Sequence, residues 1–255
     1  MKGFLEEYGL IIVVVAVILL MLLFGKTGYA KSIQDAILGS ADHIVETGEN
    51  ITKPEIHVNS GDTLNIEGTK YVVLEKQGNS QALVMTTKCL GNKKFQDELR
   101  DGQNKNTYEG SDIDKYLENE WYKGLSTKVQ RAIQTTNIKQ ASYATYTDPD
   151  SKQETGYGGQ VYNTISRHAF LPSVTEIGKA VDLKSPDKVK AFVDYWTFWT
   201  RDSCQSSPYD AEYLSSRTGS LDGVFGVGYA IGVRPAFVID LSQVDYKVAG
   251  HTDYK

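Results

Sequence analysis

The sequence predicts an α+β protein: an N-terminal transmembrane and stem helix followed by a domain built on a twisted, mostly antiparallel sheet. Three observations predict it. Residues 10–24, LIIVVVAVILLMLLF, are apolar without interruption. Beyond residue 58, short alternating or β-branched apolar runs are separated by turn signals, the period-2 pattern of strands. Helical patterns occur among these runs but do not alternate regularly with them, which argues against a doubly wound parallel sheet. The chain divides into a helix and stem over 1–47, a linker over 48–57, a globular domain over 58–242 and a tail over 243–255.

In chain order, residues 8–25 reach the lower edge of the ~17–20 residues that cross a bilayer, so the membrane is the first expected partner. Ile33, Ala36, Ile37, Ala41, Ile44 and Val45 recur at helical spacing and extend that helix as an amphipathic stem. Gly48 and Pro54 end it. TLNI (63–66), KYVVLE (70–75) and ALVMTT (82–87) read as a β-meander. Ser111 and Asp114 have capping-box spacing ahead of a helix carrying Ile113, Tyr116, Leu117 and Trp121 on one face. TKVQRAIQ (127–134) is a second helix, and 140–164 a long polar loop. AFLPSVTEIGKAV (169–181) is a strand running into a helix, with Ser173 and Glu176 as its capping box. DYWTFWTR (194–201) alternates as a strand, and GVRPAFVIDL (232–241) closes the domain. Pro235 places that last strand at an edge or an interruption of the ladder.

Composition narrows the function. The formal net charge is −5, with Lys and Arg scattered, so no nucleic-acid footprint is expected. Cys89 and Cys204 are too few for a disulfide framework and lack metal spacing; one long-range bond or two separate thiols both stay open. No P-loop, G-x-S-x-G, H-E-x-x-H or dinucleotide fingerprint occurs, and His43, His57, His168 and His251 are far apart in sequence. DPDSKQE (148–154) has carboxylates at alternate positions but lacks the glycine and terminal spacing of a calcium loop. No catalytic residue, metal or cofactor is expected.

Two resemblances add to this reading. EYGLI (7–11), the β-branched run and GKTGYAKSIQDAIL resemble the N-terminal helix of Flp-type pilins of the type IV pilus superfamily. That resemblance implies cleavage after Gly3, a new terminus at Phe4, a role for Glu7 in assembly, and other pilin subunits as partners. A carboxylate beside a membrane helix calls for a positive partner, such as a neighbour's amino terminus. A plain membrane anchor and a cleaved signal peptide are the other readings of the segment. From Val58 to Leu241, the order Gly61-Asp62-Thr63, Tyr116-Leu117 with Trp121-Tyr122, FLPSVTE, Trp199-Thr200-Arg201-Asp202 and Gly232 to Ala236 resembles an uncharacterised bacterial domain family. The last forty residues of the domain are similar to C-type-lectin-like domains of the formylglycine-generating-enzyme class, a fold also used for receptors diversified by some retroelements. There an Arg-Gly-Gly-Ser-Trp strand and a Gly-Phe-Arg strand bracket a ligand-facing segment. Trp199, Arg201 and Arg234 match that bracket, with TRDS standing where the family has Gly-Gly-Ser.

The bracket suggests where a ligand would bind. Residues 202–230 lack a long aliphatic run but carry Tyr209, Tyr213 and Tyr229 among Ser, Thr and Gly. Tyrosine supplies contact area at low entropic cost, while small polar residues adapt. The expected contacts with an extracellular protein or glycan are Asp202, Ser203, Gln205, Ser206, Tyr209, Asp210, Glu212, Tyr213, Arg217, Asp222 and Tyr229. Arg201 and Arg234 are expected to be buried in ion pairs or stacked on Trp196 or Trp199. The expected protein is a pilin-like surface molecule at the cell membrane, its domain extracytoplasmic and serving adhesion. A structural pilus or envelope subunit and an enzyme using Cys204 are the alternatives.

Overall fold

Tyr71-Val72-Val73-Leu74, Ala82-Leu83-Val84-Met85 and Ala236-Phe237-Val238-Ile239 read as continuous apolar runs because they are the centre of a sheet covered on both faces. Alternate residues separate cleanly. Tyr71, Val73, Ala82, Val84, Phe237 and Ile239 enter one core, while Val72, Leu74, Leu83, Met85, Ala236 and Val238 enter the other. The structure, a computed structural model, describes residues 55–97, 106–143, 160–204 and 207–255, all within one unit, Lys53–Lys255. The membrane run, the stem, Phe4, Glu7 and the 148–154 segment lie outside the described residues. No helix among the described residues is long and apolar enough to cross a membrane.

The first sheet contains β1 (Asp62–Ile66), β2 (Thr69–Gln77), β3 (Gln81–Thr86), β5 (Ile133–Gln134), β12 (Ala236–Asp240) and β13 (Lys247–His251), in the order β13-β1-β2-β3-β12-β5. All its pairings are antiparallel. The expected tail therefore holds a strand, β13, which closes the edge beside β1. His251 Nδ1 stands 2.7 Å from Asp62 Oδ1, and Thr252 N–H donates to Gly61 O at 3.1 Å. Pro235 falls between β11 (Ala230–Gly232) and β12, so the expected single strand over 232–241 is two, interrupted where a ladder donor is missing.

The second sheet contains β4 (Asn92–Lys94), β6 (Thr136–Tyr143), β7 (Gln160–Arg167), β8 (Phe198–Cys204), β9 (Asp210–Ser215), β10 (Ser220–Gly226) and β11. Its path is β10-β9-β8-β11-β4, with β6 also joining β8 and β7 flanking β6. Strand β8 is the fork. Its first residue pairs in parallel with Gly232, and its last two pair in parallel with Ser142 and Tyr143. All seven of its residues are buried, so both faces are covered. The strand expected over 194–201 thus starts and ends later, and Tyr195 and Trp196 lie before it, exposed. The described ends of the expected loop at 140–164, residues 140–143 and 160–164, are strand, as is much of 202–230. Between β9 and β10, Thr218 and Gly219 supply a turn signal that the polar composition hid.

Among the described residues, four short α-helices pack on these sheets. Ser111 caps α1 (Asp112–Tyr116), which continues through a π turn at Leu117–Trp121 and a 3₁₀ turn at Tyr122–Gly124. Ser126 caps α2 (Thr127–Ala132); Ile133, expected at its end, instead starts β5. The Ser173–Glu176 capping box opens α3 (Val174–Ala180) as the sequence predicts. Ahead of it, Phe170 makes only an isolated bridge to Ala236 rather than a strand. Helix α4 (Pro186–Val193) escaped the sequence reading, although Ser185 at its cap and Pro186 in its first turn are start signals.

Gly219 couples the β9–β10 turn to α4. Its φ is +69°, and a Cβ there would overlap the carbonyl oxygen of Pro186. Gly219→Ala is expected to destabilise the domain by more than the ~1 kcal/mol of the backbone conformation alone. Urea unfolding checks this; a loss below 0.5 kcal/mol, roughly the surface norm, would mean the turn does not bear on the helix.

Candidate functional site

The segment bracketed by Arg201 and Arg234 forms one end of the second sheet, and its geometry starts from Trp199. That indole is fully buried on β8 and donates from Nε1 to Lys93 O at 3.0 Å. Its ring centroid lies 5.8 Å from Phe225 and 6.4 Å from Tyr213, which are themselves 5.2 Å apart. Phe225 in turn lies 5.1 Å from Tyr229, which is 65% exposed. A continuous aromatic stack therefore runs from the core to the surface, in the tilted and edge-on geometries that favour aromatic pairs.

Backbone bonds hold the outer end of that stack. Asp210 pairs with Gly226, Val227 N–H donates to Tyr209 O at 2.8 Å, and Tyr229 N–H donates to Gly226 O at 2.9 Å. The Tyr229 ring lies over Gly226, where a Cβ would stand 3.2 Å from Cδ2 and Cε2. Tyr209, 52% exposed, thus shares one rim with Tyr229. Beneath it, the buried Asn106 Nδ2 reaches the carbonyl oxygens of Cys204, Ser207 and Asp210 at 3.0, 2.8 and 2.8 Å. Asn106 was missed by sequence reasoning, because its partners lie about a hundred residues away.

The other expected contacts divide by position. Asp202, Ser203 and Glu212 are buried, so they build the wall behind the surface and do not touch a ligand there; the bulge that breaks the β8–β9 register opposite Glu212 turns this stretch inward. Tyr213 is half-buried in the stack. Arg217 is exposed at the far turn of the β9–β10 hairpin, beside Ser216, whose Oγ lies 3.1 Å from Thr197 Oγ1. Asp222 pairs with Tyr213 through its backbone. Gln205 and Ser206 lie outside the described residues. The geometry brings together Tyr209, Asp210 and Tyr229.

Both bracket arginines are buried, Arg201 in an ion pair as expected, and neither stacks on a tryptophan. Arg201 grips Glu176 with both terminal nitrogens at 2.6 Å and donates to Lys139 O at 2.8 Å and Leu171 O at 2.9 Å. Burial opposes its charge, and the Glu176 carboxylate outweighs that, holding the guanidinium above its ordinary value. It sits over Phe170, not a tryptophan. Arg234 lies between Phe192 and Phe198 at 4.9 and 4.8 Å, donating to Thr86 O and Phe192 O. No carboxylate pairs with it among the described residues, and burial pushes it down to about 10, still charged at neutral pH.

Cys89 and Cys204 are free thiols, so the long-range disulfide is not formed. Burial pushes Cys89 up to about 11, outweighing the nearby Arg234 charge and keeping it a neutral thiol, and Cys204 is buried. Among the described residues no cluster of three His, Cys, Asp or Glu side chains is placed to hold a metal. A cleft of about 390 Å³ lies away from the rim, between Gly68–Lys70 and Thr86–Leu90.

A family model described as "Domain of unknown function (DUF6273)" matches residues 79–241. Among the described residues, that span includes the strands of the second sheet, the four α-helices and both bracket arginines. No curated protein and no solved structure matches the chain.

Two outcomes test this wall. Glu176→Gln leaves a buried guanidinium without its charge partner and is expected to cost about 3–5 kcal/mol, read from denaturant unfolding. Asp202 accepts from Val174 N–H at 2.6 Å, and burial pushes its carboxyl up to about 7 despite the nearby Arg201 charge. Since the folded value exceeds the unfolded ~3.9, the associated stability is complete below about pH 4 and lost as pH rises through about 7. Asp202→Asn keeps the acceptor without the charge. Relative to that variant, the wild-type protein should lose up to about 4 kcal/mol between pH 4 and pH 8; parallel stability curves would refute the assignment.

Proposed function

The chain belongs to the DUF6273 family of domains of unknown function, and from that premise we propose a membrane-inserted, pilin-like surface protein whose lectin-like domain recognises an extracellular ligand. The observation that carries the recognition reading is the rim itself. Exposed Tyr229 stands on a stack of rings anchored at a fully buried tryptophan, and exposed Tyr209 is tied beside it by the backbone bond from Val227. A rigid scaffold that displays adaptable side chains is how recognition surfaces are built. Ordering such a surface in advance lowers the entropic cost of binding. Asp210 adds a carboxylate at the same edge and Ser207 a hydroxyl, suited to a protein or glycan with hydroxyl and amide groups. The apolar run over 8–25 supports membrane insertion, and the EYGLI sequence supports assembly with other pilin subunits through Phe4 and Glu7.

A second reading, a structural pilus or envelope subunit, draws on one specific observation. Strand β13 is an edge strand with all five residues exposed. Such an edge offers backbone groups to a strand of a neighbouring subunit. Hydrogen exchange separates the two readings: protection of 247–251 gained only on assembly favours the subunit.

Recognition is tested by screening the full chain in detergent against arrayed glycans and immobilised extracellular-matrix proteins. A Tyr209→Ala/Tyr229→Ala double variant should lose about 10²-fold or more in affinity for whatever is retained, as for paired hot-spot residues. Its unfolding free energy should stay within about 1 kcal/mol, because both side chains are largely exposed. Full retention by the folded variant would sink the proposal.

A further inference from the structure

At the opposite end of β6 from the tyrosine rim, about 25 Å away along the strand, side chains from three elements form one hydrogen-bonded chain. Thr135 Oγ1 lies 3.0 Å from His168 Nε2, and His168 Nδ1 lies 2.6 Å from Glu118 Oε1. We infer that this is a hydroxyl nucleophile with its base and its orienting carboxylate, able to accept an acyl group from an activated ester.

The fold explains how residues 118, 135 and 168 meet. Thr136 pairs with Arg167 in the β6–β7 ladder, so Thr135 and His168 occupy the next position beyond that pair. Glu118 comes from the π turn that follows α1, which re-aims the side chains of that turn. Its Oε2 accepts the backbone N–H groups of His168 at 2.9 Å and Ala169 at 3.3 Å. Burial would raise the Glu118 carboxyl; the hydrogen bonds from the His168 ring and from the two N–H groups outweigh it and hold the group below its ordinary value.

An ionised Glu118 can only accept, so His168 Nδ1 donates to it, and in the neutral ring that tautomer leaves the lone pair on Nε2. The hydroxyl of Thr135 then donates to Nε2, the orientation a general base requires. Tyr122 stacks on the imidazole at 4.5 Å and 9°, and its own hydroxyl donates to Gln130 O at 3.3 Å, which fixes the ring from one side. An aromatic face also favours the imidazolium formed when the proton arrives. Thr135 is exposed, while the His168 and Glu118 side chains are 32% and 24% exposed, so a substrate meets the hydroxyl first.

The step balances without a redox partner. Thr135 Oγ attacks the ester carbonyl carbon and passes its proton to His168 Nε2. The bond from that carbon to the departing oxygen breaks, and the leaving alkoxide takes the proton from the imidazolium, while a phenolate departs unprotonated and the imidazolium returns its proton to solvent. Water then repeats the sequence on the Thr135 ester, releasing a carboxylic acid and restoring the hydroxyl. Thr135 and His168 are the catalytic residues and Glu118 a positioning residue.

The same bonds also join three elements, so the test separates chemistry from stability. The full chain is incubated with p-nitrophenyl acetate, p-nitrophenolate release is followed, and the acetyl group is located by peptide mass mapping. Acetylation at Thr135 is expected, falling roughly 10²-fold or more in Thr135→Ala and His168→Gln. Thr135→Ser should retain it. His168→Gln keeps a hydrogen-bonding side chain that cannot take the proton, and Thr135→Ala alters an exposed position, so both are expected to fold. In Glu118→Gln the saturating rate of Thr135 acetylation should fall while the ester concentration that half-saturates it stays the same; a purely structural contact would not produce that split. Acetyl groups confined to lysines, or equal Thr135 labelling in wild type and His168→Gln, would overturn the assignment.

Discussion

The Arg201–Glu176 fork is the constraint on which the second sheet depends. One guanidinium on β8 meets the carboxylate of α3, the Lys139 carbonyl of β6 and the Leu171 carbonyl ahead of α3. Glu176 Oε2 also accepts from Ser173 N–H, so the carboxylate that caps the helix neutralises the strand. A buried pair of this kind adds little over a well-packed apolar contact, yet leaving either charge alone is costly. What the pair dictates is geometry: β6, β8 and α3 have one arrangement in which the guanidinium and the carboxylate between them are both fully engaged.

That geometry makes a rigid rim at one end of the sheet. Strand β8 changes neighbours along its length, β11 at its start and β6 at its end, with β9 on its other side. Its burial on both faces leaves no room for a ligand along the strand. The surface chemistry is therefore displaced to the ends, where Trp199 passes order outward through Phe225 to Tyr229. Arg234 plays a parallel part at the other bracket, holding the Thr86 and Phe192 carbonyls between two phenylalanine faces.

The two ends of β6 present different chemistry. The rim is aromatic and polar, with its backbone locked from below by Asn106. The other end carries a hydroxyl, an imidazole and a carboxylate in series, held by the π turn, Tyr122 and the β6–β7 ladder. Since the two sets share no side chain and are separated by the length of a strand, changes at one are expected to leave the other intact.

What the sequence determined by itself was whatever depends on near neighbours or on period. The α+β class, the 63–87 meander, the Ser111 and Ser173 caps and the burial of Arg201 and Arg234 were legible because a cap spans three residues and a strand repeats every two. Tertiary structure alone decided the rest. Residues 202–230 have a loop's composition, yet pairing with β8 makes most of them strand. Asp202, Ser203 and Glu212 look like surface polar residues, but a bulge and a covering helix turn them inward. The 247–251 strand, the grip of Asn106 and the meeting of Thr135, His168 and Glu118 join residues from 33 to 189 positions apart. No local pattern encodes such meetings, because each forms only when distant segments have already been brought together by burying the two faces of one sheet.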